Sequence, residues 1–144
     1  MAARRRKSKR QFGANSKPPE HVFFLDRSLG RYEIATALRQ AGATVEIHDD
    51  HFPSEATDEE WLPEIGRRKW VVLTKDDRIR HRATTLAALT KGRVRAFILT
   101  GGNLQGREMG QIFVTALRAM NRLASKHPAP FIAKVTRAGK AKLL

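Results

Sequence analysis

The chain has 144 residues, with 28 Lys or Arg against 14 Asp or Glu, a formal net charge of +14 and a sequence pI near 11.2. That length supports one ordinary domain with a real core but hardly two, and the absence of cysteine excludes disulfides and thiolate metal sites. No apolar run approaches the roughly 18 residues of a spanning helix and no signal-peptide core is present, so the expectation is a soluble, cytoplasmic protein with no membrane partner.

A basic excess of this size points to a polyanionic partner. Its distribution says more. Thirteen of the fourteen acids lie from Glu20 to Asp77, and only Glu108 follows, while cations divide seven, seven and fourteen over residues 1–18, 19–77 and 78–144. The acids are thus an island in a basic protein. A generic ribosomal-type or DNA-coating surface is the bland alternative.

Residues 1–18 carry seven cations, no acid and one bulky apolar side chain, Phe12. They read as a disordered basic arm, with a solubilising tail or transit-like segment as alternatives, and residues 19–144 as the folded domain. His21–Leu25 is a short continuous apolar run, as expected of a central strand. Asp26 to Gly30 breaks it. Ile34, Ala37, Leu38 and Ala41 recur at helical spacing before Gly42, and Thr44–His48 reads as a second strand.

Thr57 to Glu60 forms an S/T-x-x-E capping box, placing Asp58 in the first turn of a helix whose inner face is Trp61, Leu62 and Ile65. Pro63 removes a hydrogen bond and predicts a short or kinked helix. Trp70–Leu73 reads as the third strand, ending at Asp76 and Asp77. Leu86, Ala87 and Leu89 predict a helix before Gly92, and Ala96–Leu99 a fourth strand. After Thr100-Gly-Gly-Asn103, Met109, Ile112, Phe113, Ala116, Leu117, Met120 and Leu123 predict the longest helix, closed by Pro128 and Pro130. Phe131–Leu144 reads as a final strand pair around Ala138-Gly139.

Strand and helix alternating in units of about 25 residues predict a three-layer α/β domain with a central, mostly parallel sheet in the order 2-1-3-4 plus the C-terminal strand pair. In such a sheet ligands bind beyond the carboxyl ends of the strands, at the switch point. Asp26 follows strand 1, Asp76 follows its neighbour strand 3, and Asp58 opens the helix after strand 2. All three should converge. Unit charges 4 Å apart repel by about 4 kcal/mol at an effective dielectric near 20, so such a group protonates or binds a cation. Oxygen-only ligands suit Mg²⁺ or Mn²⁺, which serve phosphodiester hydrolysis. Each acid also has a structural alternative: Asp26 as a turn stabiliser, Asp58 at a helix dipole, Asp76 or Asp77 as a cap.

These residues carry a resemblance. FFLD-x-SLG, LRQAGATVEIHDDHF and TDEEWLPEIGRRKWVVLTKDDRIR resemble the PIN-like nuclease domains, in particular the compact branch related to the VapC toxins, over roughly residues 21–82. The resemblance implies a metal-dependent endoribonuclease, the toxin of a toxin–antitoxin pair, with RNA as substrate, an antitoxin protein as partner and a homodimer as assembly. By motif position it assigns the metal and the catalysis to Asp26, Asp58 and Asp76, with Asp77 a further candidate ligand. PIN domains carry another acid on a helix before the Asp58 position. Here that interval is short, and Glu33, Glu46, Asp49, Glu59 and Asp77 all remain open as substitutes.

Lys75, Arg78, Arg80 and Arg82 follow the acidic edge and are candidates to hold an RNA backbone, with Asn103 and its glycine turn offering further donors. A solvated charged helix is the competing reading of the cations, and a plain tight turn that of Thr100 to Asn103. His48 and His51 read as solvated turn residues more readily than as ligands. Trp61 and Trp70 read as core rather than base-stacking platforms. The readings from another class are a non-catalytic basic nucleic-acid-binding protein and an inactive PIN-like scaffold.

Overall fold

A computed structural model describes residues 21–144; the basic arm over residues 1–18 lies outside the described residues. The elements alternate as read from the sequence. They are β1 (Val22–Leu25), α1 (Glu33–Gln40), β2 (Thr44–Ile47), α2 (Asp58–Arg68), β3 (Val71–Thr74), α3 (Ala83–Lys91), β4 (Arg95–Leu99), α4 (Gly106–Lys126), β5 (Phe131–Val135) and β6 (Ala141–Leu143). One six-stranded sheet has the order β2-β1-β3-β4-β5-β6, parallel throughout except for the antiparallel β5–β6 pair.

The period of two along each strand builds two cores. Phe23, Leu25, Val71, Leu73, Phe97 and Val135 face one way, where α1 and α4 deliver Ile34, Leu38, Phe113 and Met120. Phe24, Val72, Ala96 and Ile98 face the other, against Trp61, Leu62 and Ile65 of α2 and Leu89 of α3. Burial of each large side chain contributes about 1.5–3 kcal/mol, and because both faces are covered the strands read as unbroken apolar runs.

Strand ends differ from the sequence reading by a residue. His21 precedes β1, Trp70 precedes β3, and Thr74 belongs to β3 because the ladder continues through Thr74 opposite Ile98. His48 leaves β2 and begins a one-turn 3-10 helix to Asp50. Pro63 does not break α2, which runs eleven residues through it. At the helix start the Glu60 carboxylate accepts from the Thr57 N–H at 2.7 Å, as a capping box requires. Gly66 lies so close to Gly92 that a Cβ would stand 2.0 Å from the Gly92 carbonyl oxygen, so α2 and the end of α3 meet backbone to backbone. Among the described residues no helix is long and apolar enough to cross a membrane.

Candidate active site

Each of β1, β2 and β3 ends in a 3-10 turn at the same sheet edge: Arg27–Leu29, His48–Asp50 and Asp77–Arg80. Residue alternation decides what lies beneath them. Leu25, Ile47 and Leu73 face the α1–α4 core, so Asp26, His48 and Thr74, each one residue further on, fall on the α2–α3 side. Asp58, first residue of α2, meets them there. Asp26, Asp58 and Asp76 line one cleft of about 410 Å³ together with Ser28, His48, Trp61 and Arg78.

Asp26 is the deepest of the three, 9% exposed. Its Oδ1 accepts from the Ser28 N–H at 2.8 Å and from the Ser28 hydroxyl, so the carboxylate caps its own turn. The Ser28 hydroxyl also meets the Thr74 hydroxyl at 3.2 Å, and Thr74 in turn accepts from the Asp76 N–H at 2.9 Å, tying the turn after β1 to the turn after β3. Burial pushes the Asp26 carboxyl from an ordinary 3.8 to about 6; its hydrogen bonds oppose that shift and the nearby Asp76 charge adds to it.

Asp76 is more open and is held differently. Its Oδ1 accepts from Arg78 Nε at 2.9 Å and its Oδ2 from Arg78 Nη2 at 2.8 Å, a bidentate pair, while the same Oδ1 caps the turn by accepting from the Arg78 backbone N–H at 3.1 Å. The Arg78 guanidinium holds this carboxyl below its ordinary value. Asp58 accepts a long contact, 3.4 Å, from the buried Thr85 hydroxyl of α3. The structural alternatives raised by the sequence are therefore realised for Asp26 and Asp76, which cap turns while lining the cleft.

A second, wider cavity of about 600 Å³ shares Ser28, Asp76 and Arg78 with the first, making one continuous groove. Lys75, Asp77, Arg80, Gly101, Gly102 and Asn103 line it. Asp77 opens there and not into the first cleft, paired with Arg80 at 2.8 Å and His81 at 3.3 Å. Arg82 stands just before α3 and lines neither cavity. Of the other acids left open as substitutes, Asp49 is taken by Arg27 and Arg31, Glu46 by His51 at 2.6 Å, Glu33 lies against Gly106, and exposed Glu59 sits beside Thr84. None of these lines the first cleft.

The expectation of solvated histidines fails for His48. It is 2% exposed, enclosed by Phe24, Phe52 and Trp61 at ring distances of 6.0, 5.5 and 5.7 Å. A polar residue in a turn signals exposure in sequence; only the aromatics that fold over it reverse that. Trp61 is buried as expected, whereas Trp70 is half-buried with the Arg68 guanidinium 4.9 Å above its ring. Ser28, Thr74 and Thr85 are the site residues that sequence reasoning passed over. For Ser28 and Thr74 the signal was a hydroxyl two residues after Asp26 and two before Asp76; Thr85 reaches Asp58 only through the packing of two helices and carried none.

The donors on the cleft are hard oxygens, one of them on a carboxyl with a raised pKa that a cation would relieve, and this chemistry fits Mg²⁺ or Mn²⁺. The arrangement is an open one: among the described residues no three acid or histidine side chains are gathered as a ready cation cage, and Arg78 occupies both oxygens of Asp76.

Residues 21–101, more than half of the chain and the whole of the acidic edge, match the family described as PIN like domain. The chain belongs to the PIN-like domain family. The fold agrees, from the switch point between β1 and β3 to the acids at the strand ends. Among curated proteins it is similar to the Mycobacterium tuberculosis (strain ATCC 25618 / H37Rv) protein named "Putative ribonuclease VapC45", 26% identical over 117 residues that cover 78% of this chain and 83% of the relative. No solved structure matches it significantly.

Proposed function

We propose that this PIN-like protein is a metal-dependent endoribonuclease that hydrolyses RNA phosphodiester bonds, acting as the toxin of a toxin–antitoxin pair with an antitoxin protein as partner. The observation that carries this reading is the meeting of Asp26, Asp58 and Asp76, from three separate elements, on one cleft beside a cation-lined groove. Asp26, Asp58 and Asp76 would hold Mg²⁺ or Mn²⁺. When bound, the ion supplies positive charge to the phosphoryl oxygens and makes water a better nucleophile. Lys75, Arg80 and Asn103 hold the RNA backbone in the wider cavity, Arg82 adds charge at its margin, and Arg78 exchanges its bond to Asp76 for a phosphate. The similarity to a protein named as a ribonuclease supports the same substrate.

A second reading, an inactive scaffold or simple nucleic-acid binder, is favoured by the Arg78–Asp76 pair, which neutralises a would-be ligand. RNA incubated with the protein in Mn²⁺, with and without EDTA, separates the two. Cleavage abolished by EDTA supports the nuclease; RNA binding that survives EDTA, with no cleavage in Mn²⁺, supports the binder.

A further inference from the structure

His48 is an imidazole on the cleft wall to which the proposed chemistry gives no role. It lies on the same side of the sheet as Asp26 and lines the cleft with all three carboxylates. Its Nδ1 is buried without a hydrogen-bond partner; the nearest acid, Asp49 Oδ1, is 3.6 Å away, beyond hydrogen-bond reach. A ring nitrogen buried with its nearest acid just out of reach carries a desolvation cost that an aromatic side chain in the same cage would avoid. Asp49 is itself held by Arg27, which also lines the cleft, at 3.3 Å and from outside by Arg31 at 3.4 Å. Arg31, Asp49 and His48 thus run in series toward the cleft, an order that sets a ring's tautomer and orientation by the bond its far nitrogen makes.

Resting on the nuclease reading above, we propose that His48 accepts the proton of the water that attacks the phosphate, with Nδ1–H turned to Asp49 and the other ring nitrogen serving the cleft. As the water oxygen bonds to phosphorus, one O–H bond breaks and its proton passes to the imidazole. The phosphorus–oxygen bond to the ribose breaks, the departing oxygen takes a proton from solvent, and the imidazolium returns its proton to solvent. Burial favours the neutral ring that this role needs. The groups facing the ring are Asp49 on its own turn, Arg27 after β1 and Asp58 on α2, with Asp26, Asp76 and Arg78 across the cleft.

The test uses the full chain, RNA and Mn²⁺, with H48Q, H48A and D49N. H48Q should lose about 10²-fold or more in kcat/KM while its Mn²⁺ affinity by titration calorimetry is unchanged, and imidazole should restore part of the H48A activity. Asp49 raises the pKa of the ring, so D49N should move the acid limb of the pH–rate profile to lower pH. An H48Q protein that cleaves as well as wild type overturns the proposal, as does loss of Mn²⁺ affinity in step with activity, which would make His48 a ligand. If neither His48 variant folds, D49N decides, and an unmoved acid limb overturns it. Wild-type protein that cleaves no RNA in Mn²⁺ overturns the ribonuclease reading itself; active wild type with undiminished H48Q overturns only the role of His48.

Discussion

Replacing Asp26 by Asn should stabilise the metal-free protein at neutral pH while removing its response to metal. The carboxyl titrates at about 6 when folded, against an ordinary 3.8. Between those values the folded state holds a proton that the unfolded state has released, so wild-type stability falls as pH rises through the window. That difference corresponds to about 3 kcal/mol once the pH is well above 6. Asn does not ionise, and its Oδ1 can keep the bond from the Ser28 N–H. Weaker neutral hydrogen bonds return part of that gain, on the order of 1 kcal/mol. Urea unfolding in EDTA should therefore find D26N more stable than wild type by about 1–3 kcal/mol near pH 7.5, with the gap closing or reversing near pH 4. Added Mn²⁺ should raise the wild-type midpoint and leave D26N unmoved. A stability difference that is the same at both pH values would refute the buried, destabilised carboxylate on which this rests.

Asp76→Asn should lower Mn²⁺-dependent RNA cleavage by about 10²-fold or more, since each 1.4 kcal/mol of lost phosphoryl stabilisation is tenfold in rate; cleavage kinetics under saturating Mn²⁺ check it. Arg80→Ala with Arg82→Ala should weaken RNA binding and flatten the plot of log affinity against log salt, by about 0.7 in slope for each single-strand phosphate that is no longer neutralised. Filter binding across a salt series reads this, and an unchanged slope rejects their backbone role. Phe113→Ala, in the fully buried α4 face away from the cleft, should cost about 3–5 kcal/mol in urea unfolding yet leave the Mn²⁺ affinity of the folded protein as it was.

The fold was legible because its strands are covered on both faces. Phe23, Phe24 and Leu25 must all be buried, so the run marks a central strand whatever its register. Element ends were readable where chemistry fixes them, as at the Thr57–Glu60 box that starts α2, and drifted by a residue where only ladder bonds decide, as at Thr74, the end of β3. That Asp26, Asp58 and Asp76 line one cleft was legible from the sheet order and the helix start at Thr57, although they do not gather there as a ready cation cage. Two parts of the site were not legible. His48 owes its burial to Phe52, four residues on, and to Phe24 and Trp61, which are remote in sequence. The clamp of Arg78 on Asp76 depends on a side-chain rotamer in a tight turn, which no pattern of residue types specifies.

The glycine contact between α2 and α3 gives the cleft a remote adjustment point. Gly66 lies eight residues along α2 from Asp58, about 12 Å at the rise of an α-helix. Because the two backbones touch there, neither helix can slide without the other, and Thr85 meets Asp58 from the same partner helix. The depth at which the third carboxylate enters the cleft is thus set by how closely two glycines approach at the far end of the rod. Drift toward larger residues at Gly66 or Gly92 would retune the spacing of the acids while every residue that lines the cleft stayed the same.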